Sequence, residues 1–311
     1  MQLLRGRTKG ITTLAISPDS RYVVAAAQYV ECHIWDLREA KPKARLLYVG
    51  GGMSSAMVFP TPTTLIAYHS TRWSCYDLGE ERELTLAGPT MTSATYVIVH
   101  PAGSLIKTLN YHVSDIHSGV DVQLVTCGLL DGGFEPVEPA KTDQSLRRLL
   151  GFDPSGGRYL AEGNWHVEGN SGFHLRDTTT DEVVATFRVS PRMRVGKPHQ
   201  WAFTTDGRRL FAIGRHYVVA YDCAAGGPQV VEVFPTALDS QFDSLAVHPG
   251  GLIVATVEDQ RTVTLRDADT LQPLRSYDFA MPKLTCVAFT PDGTRCVVGN
   301  SRGKVLLFDV E

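Results

Sequence analysis

Long apolar runs, a large net charge and paired cysteine motifs are all missing from this 311-residue chain. No stretch approaches the ~18 consecutive apolar residues of a membrane-crossing helix, so no membrane partner is expected. Thirty Lys and Arg stand against 33 Asp and Glu, a formal net charge of −3. General nucleic-acid binding needs a marked positive excess, so no nucleic-acid partner is expected either. The opening MQLLRGRTKGITTLAIS lacks a basic start followed by a long apolar stretch, and Asn-x-Ser/Thr is absent, which argues against a secreted glycoprotein. Six cysteines (Cys32, Cys75, Cys127, Cys223, Cys286 and Cys296) include no Cys-x-x-Cys pair, so zinc-ribbon and thioredoxin-like readings have no support. Most sit among apolar residues, as reduced buried thiols do, and a cytoplasmic location is the expectation. Walker A, His-Glu-x-x-His and Gly-x-Ser-x-Gly are also lacking, and no cofactor is implied.

What is present is a core-forming composition, 43% hydrophobic and 20% charged, and a repeat. A short apolar strand, a turn on Pro-Asp-Gly or a relative, and a second apolar strand recur. The phrase reads LAISPDSRYVVAAA from Leu14, LGFDPSGGRYLAEG from Leu150 and VAFTPDGTRCVVG from Val287. The turn anchors are Pro18, Pro60, Pro101, Pro154, Thr205, Pro249 and Pro291, spaced by 42, 41, 53, 51, 44 and 42 residues. Seven units of about 45 residues match the period of four-stranded propeller blades.

Residues two and four before most anchors are large and apolar, as in Ile16 with Leu14 and Phe289 with Val287. Side chains alternate along a strand, so each pair lies on one face. The residue between is small in five units (Ala15, Gly151, Ala202, Ala246, Ala288), as an innermost strand requires. A second signature, an aromatic or Arg followed by Asp, comes about 17 to 18 residues after most anchors. It appears as Trp35-Asp36, Tyr76-Asp77, Tyr221-Asp222, Arg266-Asp267 and Phe308-Asp309, and later as Arg176-Asp177 in unit four. In unit three the same spacing falls on Ile116-His117-Ser118.

HIWDL from His33 and AFTPDG from Ala288 are the phrases through which the whole chain resembles the WD40-repeat family. The resemblance implies an all-β, seven-bladed β-propeller of four-stranded antiparallel blades. The family's Gly-His dipeptide is missing from every unit, and its Asp between second and third strands survives only as Asp259. Its buried His–Asp–Ser/Thr–Trp network is therefore not expected in most blades. The blades are expected near 11–50, 53–88, 94–128, 145–189, 198–235, 242–279 and 284–311, with residues 1–8 as outer strand of the last, all in one domain. That N-terminal strand hides an otherwise open sheet edge.

In this geometry the loops between second and third strands share one face with those joining successive blades. They are rich in residue types that dominate interface hot spots. The candidate partner-binding residues are Tyr29, Tyr68, His69, Arg72, Trp73, Tyr111, Trp165, His166, Arg192, Arg194, Arg215, His216 and Arg302. The long segments CGLLDGGFEPVEPAKTDQ and SPRMRVGKPHQ are expected to form an acidic and a basic rim beside blade four. His112 and His117 have opposite strand parity, so no metal site is expected from them. The implied function is non-catalytic: a scaffold for a protein or peptide partner, acting as a monomeric propeller or as a subunit of a hetero-complex. The alternative is a propeller hydrolase of lactonase type, with His69, His112, His166, His216 and Glu258 as candidates.

Overall fold

The residue before the turn anchor is polar in six of the seven repeats: Ser17, His100, Asp153, Thr204, His248 and Thr290. The computed structural model describes residues 1–5, 10–27, 31–39, 45–48, 54–69, 72–84, 94–115, 119–130, 133–163, 172–187, 198–223, 229–235, 240–281 and 283–310, with some strand-end side chains excepted. In it these six side chains tie down the first turn of their repeats. Ser17 Oγ donates to Asp19 Oδ1 at 2.6 Å and accepts from the Tyr22 amide at 2.8 Å. Thr204 and Thr290 repeat this with Asp206 and Asp292, accepting from the Arg209 and Arg295 amides. Asp153 accepts from the Ser155 hydroxyl and the Arg158 amide. His100 and His248 accept through Nδ1 from the Ala102 and Gly250 amides.

The Asp of the second signature does equivalent work one hairpin later. Asp77 accepts from the Gly79 and Glu80 amides, Asp177 from those of Thr179 and Thr180, and Asp267 from those of Asp269 and Thr270. These are Asx-type turns, in which a short carboxylate replaces a backbone acceptor. Such contacts hold the Asp177 and Asp267 carboxyls below the usual range. Both local signals thus fix hairpins before any long-range packing is needed.

The chain forms 29 strands and no helix among the described residues, in two compact units. Unit 1 holds residues 1–48 and 190–311, and unit 2 holds 49–189. Unit 1 opens with β1 (Gln2–Arg5) and blade 1: β2 (Ile11–Ile16), β3 (Tyr22–Ala27), β4 (Glu31–Asp36) and β5 (Arg45–Tyr48). Unit 2 supplies blade 2, with β6 (Ser54–Val58), β7 (Thr64–His69), β8 (Arg72–Asp77) and β9 (Arg82–Leu84). Its blade 3 has β10 (Ala94–Val99), β11 (Leu105–Asp115), β12 (Gly119–Leu130), β13 (Gly133–Pro136) and a short β14 (Lys141–Thr142). Blade 4 follows with β15 (Leu146–Phe152), β16 (Arg158–Gly163), β17 (Phe173–Asp177) and β18 (Val183–Phe187). Unit 1 resumes with blade 5: β19 (Gln200–Phe203), β20 (Arg209–Gly214), β21 (Tyr217–Asp222) and β22 (Gln229–Pro235). Blade 6 contains β23 (Phe242–Val247), β24 (Ile253–Glu258), β25 (Thr262–Asp267) and β26 (Pro273–Asp278). Blade 7 contains β27 (Leu284–Phe289), β28 (Arg295–Asn300) and β29 (Lys304–Asp309).

Every blade is an antiparallel meander, and β1 completes the seventh. Gln2 pairs with Leu307 and Arg5 with Lys304, as the chain-closure expectation requires. Leu4 is buried in that contact. In unit 1 the side chains of each inner strand bond the backbone of the next. Gln200 grips both the N–H and the C=O of Leu245 at 2.9 Å, Ser244 accepts from the Val287 amide, and Thr285 donates to the Ile11 carbonyl at 2.6 Å. Hydrophobic cores lie between adjoining blades. One joins Val257, Leu265, Leu284 and Phe308; another joins Leu4, Val23, Trp35 and Val305.

Blade 3 departs from the expected spacing. Its β11–β12 hairpin is long, and Ile106 pairs with Cys127 where Val254 pairs with Arg266 in blade 6. The second signature of this unit therefore falls at Cys127-Gly128, not at Ile116-His117-Ser118. Part of the acidic segment expected as a loop is β13 and β14, both paired to β12 and beyond the 94–128 span.

Candidate functional site

The turns between second and third strands are short in blades 5, 6 and 7. Blade 5 turns at Arg215-His216. Blade 6 turns at Asp259-Gln260, both with positive φ (52° and 54°). Such paired left-handed residues match the twist of a tight hairpin. Blade 7 turns at Ser301-Arg302-Gly303, where the buried Asn300 Oδ1 accepts from the Arg302 and Lys304 amides.

A belt of backbone hydrogen bonds links these turns to the entry strands of the following blades. The Phe242 amide donates to Arg215 O, Leu284 to Gln260 O, Ser301 to Lys283 O and Gly10 to Ser301 O, all at 2.7–2.9 Å. The belt fixes the backbone from which Arg215, Arg261, Lys283 and Arg302 project, and all four are exposed. Arg215 Nε reaches Gln241 Oε1, and Arg261 chelates Asp278 at 2.6–2.8 Å. That contact holds the Asp278 carboxyl below its usual range. His216 Nδ1 lies 2.9 Å from Ser240 O, and a carbonyl only accepts, so Nδ1 carries the proton. Burial pushes the Asp243 carboxyl up, against the opposing bond from the Gln260 amide.

Of the residues expected from sequence, Arg215, His216 and Arg302 stand on this unit 1 rim. In unit 2, Tyr68 pairs with Trp73 and His69 with Arg72 at the tip of the β7–β8 hairpin, on strand ends rather than in a loop. Their side chains lie outside the described residues. Tyr111 is on β11, paired with Val122, and likewise is not a loop residue. Tyr29, Trp165, His166, Arg192 and Arg194 lie outside the described residues, as does the expected basic rim.

Two arrangements were not legible as chemistry in the sequence. Arg266 occupies the aromatic position of the second signature and is buried under Phe234, its guanidinium 4.1 Å from the ring centroid. It bonds Thr256, Glu258 and the Leu271 carbonyl. Glu258, a candidate of the hydrolase reading, is thereby committed to a structural ion pair. Arg176 plays the matching part in blade 4, bonding Asp143, Ser145 and the Asp181 carbonyl.

The second arrangement lies inside unit 2. Lys107 is fully buried and donates to Asp181 at 2.6 Å and to Thr126 at 3.0 Å. Asp181 also accepts from Lys141 and Tyr159. Burial alone would raise the Asp181 carboxyl; the bonds from Lys107, Lys141 and Tyr159 hold it below the usual range. Asp143 is taken up by Arg176 and Glu138 by Lys141, so these acids of the expected acidic rim are spent on internal pairs. No group of three metal-ligating side chains occurs among the described residues.

Comparison with known proteins follows from this geometry. The family model for the WD domain, G-beta repeat, matches residues 1–36, which span β1 and the first three strands of blade 1. The β-propeller domain of Cps50 (Swd1) from Myceliophteria thermophila superposes with a TM-score of 0.76 at 13% identity, covering 100% of both chains. The chain has a seven-bladed β-propeller fold. No curated protein matches the sequence. Two blades of this propeller carry a buried Arg, Arg176 or Arg266, where others bury Trp35, Tyr76, Tyr221 or Phe308.

Proposed function

We propose that this propeller is a non-catalytic scaffold that binds a protein or peptide partner on the face carrying the second-to-third-strand turns. The observation that carries the reading is the hydrogen-bonded belt of unit 1. It presents exposed Arg215, Arg261 and Arg302 on backbone already fixed, so binding there orders little that is not ordered already. Arginine is also a residue type enriched at binding hot spots. In unit 2, Tyr68, His69, Arg72 and Trp73 occupy the backbone tip of the β7–β8 hairpin. All six cysteines are buried, as thiols in a reducing compartment are, and a cytoplasmic location is proposed on that ground.

The test is affinity capture from the native cell, with mass spectrometry, using the wild type beside Trp73→Ala and Arg215→Ala. The reading expects a defined partner set that both variants deplete while keeping the wild-type melting temperature. Identical partner sets from all three proteins would count against it.

A further inference from the structure

Cations without intervening carboxylates gather at one end of blade 7. The first acidic residue is Asp19, so residues 1–18 carry Arg5, Arg7 and Lys9 with no carboxylate. Residues 279–291 carry Lys283 and residues 293–308 carry Arg295, Arg302 and Lys304, again with none. Topology brings parts of these three stretches together. Arg5 is the direct cross-strand partner of Lys304. The Ser301 amide bonds the Lys283 carbonyl, and the Gly10 amide bonds the Ser301 carbonyl. Asn300 then holds the turn from which Arg302 and Lys304 project. Lys283, Arg302 and Lys304 are exposed, and none has an ion-pair partner among the described residues.

Placing Arg5 opposite Lys304 breaks a rule of sheet design, because like charges directly across a ladder repel. Elsewhere on the same rim Arg261 is matched by Asp278. In a protein of net charge −3, Lys283, Arg302 and Lys304 gather at one blade corner with no ion pair to an acid among the described residues. Features that violate a local rule without an internal gain are expected at functional sites.

We propose that this corner of blade 7, built by Lys283, Arg302 and Lys304 beside Arg5, docks an acidic peptide segment of the partner. The inference rests on the scaffold reading and names the chemistry of what the rim receives. The corner is compact, confined to one turn, one strand start and one strand end. That suits a short run of carboxylates better than the long phosphate track of a nucleic acid. An acidic segment that binds only the folded corner also stabilises the fold by linkage.

The experiment uses fluorescence anisotropy with a short fluorescein-labelled Glu/Asp-rich peptide and the full chain. Lys283→Glu/Lys304→Glu is the disruptive variant. Lys283→Gln/Lys304→Gln is the milder one, should charge reversal impair folding. The expected result is binding by the wild type that weakens steeply with salt, with a loss of about tenfold or more in either variant. The peptide also raises the wild-type melting temperature and leaves that of the variants unchanged. Equal affinity of variants and wild type overturns the proposal. So does tighter binding of single-stranded DNA or of phosphatidylserine vesicles through the same residues. A captured cellular partner indifferent to both the Lys283/Lys304 reversal and salt overturns this inference alone; no captured partner at all overturns the scaffold reading with it.

Discussion

Trp35 carries a buried polar group left without a partner among the described residues. It is fully buried opposite Val23, and its indole N–H has no hydrogen-bond partner among the described residues. The equivalent pair in blade 6 is Val254 with Arg266, where Thr256, two residues along the strand, receives the Arg266 Nε. In blade 1 that position is Ala25. Ala25→Ser should therefore supply the missing acceptor and raise stability by about 1 kcal/mol, read as a higher denaturant midpoint at constant slope. A lowered midpoint would mean that the indole is better left dry. The thiols give a second check at this scale. Burial pushes Cys32 up to about 12, and Cys75, Cys127 and Cys286 to about 11, while Cys296 is raised further still. Iodoacetamide at pH 8 should leave these five unlabelled in the native protein and modify them after denaturation. Rapid native labelling of any one would contradict its placement in the core.

Among the elements, blade 3 and β1 carry the sharpest expectations. Lys107 on β11 and Asp181, at the β17–β18 turn, are 74 residues apart, and their pairing ties blade 3 to blade 4 within unit 2. Asp181→Asn leaves a buried ammonium without its counter-charge and should cost about 3–5 kcal/mol; Lys107→Met/Asp181→Asn should recover part of that. The pH dependence has a definite sign. The folded Asp181 carboxyl titrates below its ordinary value of 3.8, so its contribution is complete above that value and is lost as pH falls through the lower folded pKa. Acid unfolding of the double variant should accordingly show a shallower slope below about pH 4 than the wild type. A wild-type slope in that variant would remove Asp181 from the acid transition. Deleting residues 1–8 takes away β1, exposes the edge of β29 and uncovers Leu4 contacts, so the melting temperature should fall by several degrees or more. An unchanged melting temperature would show that blade 7 does not depend on its fourth strand.

For the whole molecule, the sequence discloses what local chemistry controls. The seven anchors and most Asp signatures could be read because each closes its own hairpin through contacts a few residues long, as Ser17 does with Asp19 and Tyr22. The closing strand was legible because Gln2–Arg5 precedes the first repeat and the seventh repeat lacks a fourth strand. Blade 3 was misread because the lengthened β11–β12 hairpin moves its signature to Cys127, and a fixed spacing cannot reveal an insertion. The rim was legible in part: Arg215, His216 and Arg302 lie on tight turns, whereas Tyr111 belongs to a strand whose extension nothing local announces. The buried cluster was not legible, because Lys107 sits in the apolar phrase LIKTL and its partner Asp181 lies beyond any local window.

Partner docking on the turn-bearing face is the central claim, and lysine cross-linking of the captured complex with mass spectrometry tests it most directly. Lys283 and Lys304 flank that face at blade 7. The account predicts partner cross-links at Lys283 and Lys304. A complex in which Lys283 and Lys304 form no cross-link to the partner and stay as reactive as in the free protein would contradict it.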